Sequence, residues 1–357
     1  MSLKARIAAL IEAQGPMSVA QFMTAALHDP KGGYYATRDP LGADFTTAPE
    51  ISQMFGEMLG LWCVQLWHDQ GLKRPRLVEL GPGRGTMMAD MLRAMAVAPD
   101  LLSELEVVLI EASPVLAGLQ CAKLGDCGVT LRWQPQFDDT LADRPLLLVA
   151  NEFFDALPLR QYVKTSRGWC ERLVTASEGE FSFALAPTPV PPATIPASYE
   201  AAPEGGVYET APAAAALAED IARIVAEQGG GALIVDYGYG APAGFGETLQ
   251  AVGGNSFADI LAEPGEDDLS AHVDFAALAA AGRRGGAAVF GPVTQGKFLA
   301  RLGLAERAEQ LMKANPAKAR DLLLAAGRLI GPDTMGTLFK ALAFVPASAA
   351  APPGFEP

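Results

Sequence analysis

RLVELGPGRGTMMADML, residues 76–92, is the stretch on which the fold turns. RLVEL is a short apolar run of strand type, GTMMADML opens a helix-like pattern, and Gly81, Gly83 and Gly85 stand between them at alternate positions. Strand, glycine turn and helix in that order bring side-chain-free backbone to the carboxyl edge of a parallel sheet, where open α/β folds take their ligands. The turn therefore reads as a cradle for a nucleotide-like ligand.

Outward from this turn the alternation continues. LEVVLIEAS reads as a second strand, VLAGLQCAKL as a helix, VTLRW as a third strand and PLLLVANE as a fourth. GALIVDYG and MGTLFKALAFV supply later strands, VDFAALAAAGRRGGAAVFG reads as a helix beginning at Phe275 and then a strand, and helices are expected around 213–227 and over 297–330. This pattern implies a mainly parallel sheet covered by helices on both faces. Between residues 159 and 187 the chain instead alternates with period two around turn signals at 166–168 and 178–179, which predicts two or three inserted antiparallel strands. The Pro/Ala stretch 187–203 reads as a surface linker. At the N-terminus, Leu3, Ile7, Leu10 and Ile11 recur at helical spacing and Gly15-Pro16 stops the pattern. The expected division is N-terminal helices with an active-site loop over residues 1–70, a core with the inserted strands over 71–262, and C-terminal helices with the last strands over 263–357.

Bulk properties narrow the function. With 357 residues, half of them apolar, the chain is long enough for one large core with an accessory lobe. A net charge of -14 argues against a duplex nucleic-acid partner, since phosphate binding draws on clustered Lys and Arg. Cys63, Cys121, Cys127 and Cys170 lack CxxC spacing and nearby histidines, so no zinc or other metal site is expected. No window reaches about 18 uninterrupted apolar residues, and no membrane span is expected. MSLKARIAALIEAQG lacks the apolar core and cleavage site of a secretory signal, which points to a bacterial cytoplasmic protein or a mature organellar one.

Two cofactor classes compete for the turn. The dinucleotide fingerprint asks for glycine at its first, third and sixth positions, but the sixth is Thr86 counted from Gly81 and Met88 counted from Gly83. An S-adenosylmethionine turn asks for an acid two residues before Gly-x-Gly-x-Gly, which Glu79, Gly81, Gly83 and Gly85 provide. The amino-acid end of that cofactor carries an ammonium and a sulfonium, so a carboxylate beside the turn helps rather than repels. At the end of the second strand Glu111 is placed to accept hydrogen bonds from both ribose hydroxyls, as NAD enzymes also arrange, and Ser113 follows it. Asp138 or Gln136, after the third strand, is the candidate for an adenine amine.

The acceptor side is read from VANEFFDALP. Asn151, Glu152 and Asp155 concentrate polarity after the fourth strand, although Asn151 and Asp155 also read as helix caps. A guanidinium acceptor is planar and permanently charged, so holding it out of water takes carboxylates in fork geometry, and Glu152 is the first candidate. The long loop HDPKGGYYATRDPLGADFTTAPE, with its tyrosines, Phe45 and two threonines, is read as ordered and close to the ligand. His272 and Asp274 in SAHVDF are further polar candidates, each with a structural alternative, Asp274 as a cap of the helix from Phe275.

Taken together, GGYY, DFTTAPEISQMFGE, VELGPGRGT, LIEASP, NEFFDALP, VDYG, AHVDF, TQGKFL and MGTLFKAL make the chain resemble the MidA family, whose mitochondrial members are complex I assembly methyltransferases. The resemblance runs from about residue 32 to 344. It implies a class I (Rossmann-like) seven-stranded methyltransferase fold with an added helical lobe, S-adenosylmethionine as cofactor, and a protein substrate, a complex I subunit that receives symmetric dimethylarginine. Gly81, Gly83 and Gly85 correspond to the family's cofactor loop, and the resemblance implies an N-terminal segment over the donor pocket, in which Asp44, Phe45, Thr46, Thr47 and Glu50 are the residues to close over the methionine end or line the acceptor channel. Where many relatives carry a basic, His-containing segment, this chain has GETLQAVGGNSFADIL with Asn255 and Ser256, a departure that bears on the substrate. A homodimer stays open. The competing functions are a cofactor-binding assembly chaperone without catalysis and an NAD-type oxidoreductase.

Overall fold

The computed structural model describes residues 1–37, 46–241, 244–254 and 256–356. The chain forms two compact units, each built from three separate stretches: Met1–Phe45, Asp155–Ala215 and Ala241–Asp274 in one, Thr46–Phe154, Ala216–Gly240 and Phe275–Pro357 in the other.

The second unit carries the sheet that the sequence predicts. Its strands are β1 Arg76–Leu80, β2 Glu106–Ile110, β3 Thr130–Gln134, β4 Leu146–Asn151, β5 Gly230–Tyr239, β6 Ala288–Thr294 and β7 Phe339–Val345. They lie in the order β3-β2-β1-β4-β5-β7-β6. The first five are parallel, whereas β7 runs antiparallel between β5 and β6. Every residue of β1 and β4 is buried, as expected of parallel strands covered on both faces. MGTLFKALAFV splits at Phe339: Met335–Leu338 is a helical turn and only the alternating remainder enters the sheet.

Two helices back the glycine turn, α1 Gln53–Gln70 and α2 Thr86–Met95. Gly56 and Gly60 lie one turn apart on α1 and let the α2 backbone approach closely. A Cβ on Gly60 would sit 2.6 Å from the Met91 carbonyl, and one on Gly56 would sit 2.9 Å from that of Met87. Helix α3, Pro114–Leu124, starts at Ser113, whose hydroxyl accepts from the Leu116 amide, and its first turn contains proline.

The first unit holds the predicted insertion. Arg160–Thr165, Gly168–Ser177 and Glu180–Leu185 form consecutive antiparallel pairs, and Met17–Ser18 and Val207–Thr210 complete a five-stranded sheet. Helices Leu3–Gln14 and Val19–His28 pack Leu3, Ile7, Ile11, Phe22, Met23 and Leu27 into its core, while Leu10 faces outward. Within the expected linker, Tyr199 is buried against Tyr162, Trp169 and Ala202, because one aromatic gives an otherwise uncommitted Pro/Ala segment an apolar anchor. Among the described residues, no helix is long and apolar enough to cross a membrane.

Candidate active site

The glycine turn departs from β1 with Gly81, Gly83 and Gly85 all in the left-handed region, at φ 60°, 54° and 75°. Side chains strain there, so the spacing of the glycines is set by the backbone path. Space matters as well at Gly81, where a Cβ would lie 2.8 Å from the Phe153 ring.

Glu79 lies beneath this turn and is almost fully buried. Burial, reinforced by the negative charge of Glu111, pushes its carboxyl from the ordinary 4.5 up to about 8. Its Oε2 is a buried acceptor with no hydrogen-bond partner. A carboxyl in this state fits a ligand that brings cationic donors, and an ammonium or sulfonium beside it would restore the charged form. A pyrophosphate there would raise the penalty instead.

Glu111 ends β2. Its Oε1 accepts from the Ser113 amide at 2.8 Å and its Oε2 from Gln120 Nε2 at 3.0 Å. Burial raises its pKa, and the Ser113 and Gln120 hydrogen bonds oppose that rise. Gln120 is fully buried and also donates to the Gly83 carbonyl at 2.7 Å, while its Oε1 accepts from Trp133 Nε1 at 2.9 Å. One amide thus ties the glycine turn, the carboxylate of the second strand and the third strand together. Sequence reasoning missed it, although it stands in an otherwise nearly apolar helical run, VLAGLQCAKL. Ser113 serves here as the cap of α3 and as the amide donor to Glu111. Asp138 accepts from the amide and hydroxyl of Thr140, capping a short helical turn, and these bonds hold its pKa low. Gln136 is exposed, and its carbonyl accepts from Gln134 Nε2.

The acceptor side is built where β4 ends. The register pairs Leu80 with Ala150, so Asn151 lies one step past the end of β1 and on the same sheet face as Glu79. Asn151 Nδ2 donates to Glu152 Oε1 at 3.0 Å, and Asn151 Oδ1 is a second buried acceptor with no partner. Glu152 has φ 50°, uncommon for a residue with a side chain. Its Oε1 also accepts from the Ala48 amide at 3.0 Å, and its own amide extends the ladder to the Val235 carbonyl. The next two amides, of Phe153 and Phe154, both donate to Asp236 Oδ2, at 3.2 and 3.0 Å. Asp236 is the single charged residue in GALIVDYG, and that lone charge was the signal sequence reasoning passed over.

Of the loop residues, Thr47 is the N-cap residue of the short helix Ala48–Ile51, and Thr46 is exposed beside it. Glu50 Oε1 accepts from Thr86 Oγ1 at 2.6 Å, at the start of α2, and Lys123 Nζ donates to the same hydroxyl at 2.5 Å. Asp44, Phe45 and Asn255 lie outside the described residues. Asp155 and His272 belong to the other unit. There the Asp155 carbonyl accepts from the Ala271 amide, and the His272 amide donates to Thr248 Oγ1, itself bonded to buried Glu209.

A mainly parallel sheet of this order, with a glycine turn beside a buried carboxyl whose Oε2 has no partner and a second carboxylate just past the neighbouring strand, defines a class I S-adenosylmethionine-dependent methyltransferase. Comparison with known proteins makes the assignment particular. The model of a family described as S-adenosyl-L-methionine-dependent methyltransferase matches residues 58–293, and the chain belongs to that family. The mitochondrial protein arginine methyltransferase NDUFAF7 of Danio rerio is 35% identical, over 95% of this chain and 86% of that protein. Its Homo sapiens counterpart is 33% identical over 94% of this chain and 81% of its own length. A crystal structure from Burkholderia thailandensis, bound to S-adenosyl-homocysteine, has TM-score 0.86 and 29% identity, covering 99% of this chain and 94% of that one. The cofactor choice left open by the glycine turn is thereby resolved in favour of S-adenosylmethionine.

Proposed function

We propose that the chain methylates a guanidinium nitrogen of arginine in a protein substrate. The observation that carries this reading is Glu152: a carboxylate at a left-handed backbone position, its Oε1 fixed by the Ala48 amide and Asn151 Nδ2, beside the unpartnered Asn151 Oδ1. A carboxylate and a carbonyl oxygen side by side can accept from the N–H fork of a planar cation, and each charge-assisted hydrogen bond contributes about 1.5–3 kcal/mol. The names of the curated relatives support the same substrate class.

In this reading Glu79 takes the cationic amino-acid end of the cofactor and Glu111 takes the ribose hydroxyls. When bound, S-adenosylmethionine supplies an activated methyl for in-line displacement, so the C–S bond breaks as the N–C bond forms. Glu152 and Asn151 hold the guanidinium so that one nitrogen faces that methyl, and alignment provides much of the rate. Glu152 is also the acceptor for the proton that the methylated nitrogen gives up. Glu50, held by Thr86 at the head of α2, places the Thr46–Thr47 segment as a cover. Asp138 is kept as the adenine candidate. The product is symmetric dimethylarginine on a respiratory complex I subunit, made during assembly in the compartment where that subunit is built.

The test is Glu152→Gln. The amide keeps the shape while removing the charge and one acceptor oxygen. S-adenosyl-homocysteine affinity is expected to hold, while methyl transfer to the complex I subunit, read as methylarginine by mass spectrometry, falls roughly 10- to 150-fold, the equivalent of about 1.5–3 kcal/mol. Near-normal turnover would remove Glu152 from the acceptor site. Absence of methyl transfer by the wild-type protein, with cofactor still bound, would favour a chaperone role.

A further inference from the structure

Asp236 belongs to β5, not to the cofactor loop or to NEFFD, yet both meet through it. Its carboxylate is fully buried. Oδ1 accepts from the Tyr237 amide at 2.9 Å, and Oδ2 accepts from the amides of Phe153 and Phe154. Those two amides immediately follow Glu152, at the point where φ 50° turns the chain out of β4 and the ladder to β5 ends with the Glu152 amide on the Val235 carbonyl. Past that rung the next two N–H groups, those of Phe153 and Phe154, are taken by Asp236 Oδ2. The turn so held presents the Glu152 carboxylate in one direction. In the other it lays the Phe153 ring against Gly81, so closely that a Cβ there would come within 2.8 Å of Cδ2.

We propose that Asp236 is a positioning residue for the methyl-transfer reaction: by anchoring the two amides after Glu152 it fixes the Phe153 ring as a wall of the cofactor turn and sets the direction of the acceptor carboxylate. The acceptor half of this rests on the arginine reading above; the cofactor half does not. Two backbone donors on one buried carboxylate oxygen are charge-assisted hydrogen bonds, stronger than neutral ones, and they hold Glu152 in a conformation it would otherwise seldom adopt. The role proposed for Asp236 is indirect. Its effect passes through Phe153 and Glu152.

The experiment uses S-adenosyl-homocysteine as probe, so it needs no acceptor and stands apart from the question of substrate. Calorimetric affinities are compared for wild type, Asp236→Asn, Phe153→Ala and the double variant. In Asp236→Asn an amide N–H faces one of the backbone donors that the carboxylate had accepted, and the turn loosens. Each single change is expected to weaken binding about tenfold, and the double change to weaken it hardly more than either, because both act through the same ring. Full affinity in folded Asp236→Asn would overturn the proposal. So would losses that multiply to about a hundredfold, since two independent defects add in free energy. Should Asp236→Asn fail to fold, amide exchange on the wild-type protein decides the matter: Phe153 and Phe154 are expected to exchange as slowly as the interior of β5, and exchange at the rate of an exposed loop would overturn the proposal.

Discussion

Glu79 holds its proton at neutral pH in the free protein, because burial and the charge of Glu111 push its carboxyl up to about 8. The folded value lies above the unfolded one, so the native state binds this proton more tightly. The stability it contributes is complete below about pH 4.5 and is lost progressively as pH rises toward 8. Glu79→Gln is therefore expected to flatten that decline and raise the thermal midpoint of the cofactor-free protein at pH 7, as calorimetric scans from pH 5 to 8 would reveal. Cationic cofactor competes with the proton, so S-adenosylmethionine affinity should climb between pH 6 and 8, by at most about tenfold per unit, with proton release on binding. Affinity flat across that range would mean that Glu79 does not meet the cofactor's positive end. Glu79 and Glu111 were legible in the sequence because an acid ending an apolar strand beside a glycine turn has few structural reasons to be there. Gln120 and Asp236 were not, since one amide in a helix and one acid in a strand acquire meaning only when the residues they bridge, 37 and 82 positions away, are seen beside them.

At the scale of elements, the support of the glycine turn is the α1–α2 contact. Gly60→Val would drive a Cβ to 2.6 Å from the Met91 carbonyl and force the helix that begins at Thr86 away from its place. Overpacking of this kind costs about 1–3 kcal/mol, and in a chain of this size each kcal/mol lowers the thermal midpoint by about 2–4 °C. Gly118→Ala on α3, where a Cβ meets nothing within 4 Å, serves as the contrast and should leave the midpoint level or slightly higher. Equal effects of the two changes in thermal scans would contradict the close contact. The central strands β1, β2, β4 and β5 could be read from the sequence because parallel strands buried on both faces leave mostly apolar runs. The helical turn Met335–Leu338 could not, because MGTL and FKALAFV are alike apolar and the break between them is made by tertiary packing. The same holds for Tyr199, whose burial depends on aromatic partners far along the chain.

For the whole molecule, the seven-stranded class I fold was implied by the resemblance to the MidA family, whereas the mainly parallel sheet and the inserted antiparallel strands followed from local periodicity and turn residues, which act over a few positions. The sharing of three separate stretches by each compact unit did not, because contacts between segments a hundred or more residues apart leave no periodic trace. Function divides along the same line. The glycine turn is one contiguous stretch and was legible, as was Glu152 in NEFFD; the hydrogen bonds that fix Glu152 and the two amides after it come from Ala48, β4 and β5, which are far apart in the chain. The most direct test of the account is to incubate the protein with S-adenosylmethionine carrying an isotopically labelled methyl and an extract of cells lacking this gene, then hydrolyse the protein fraction and identify the labelled amino acid. The account predicts label in symmetric dimethylarginine, recovered from a complex I subunit and lost when Glu152→Gln replaces the wild type. Label confined to lysine, glutamine, a carboxyl group or a small molecule would contradict it.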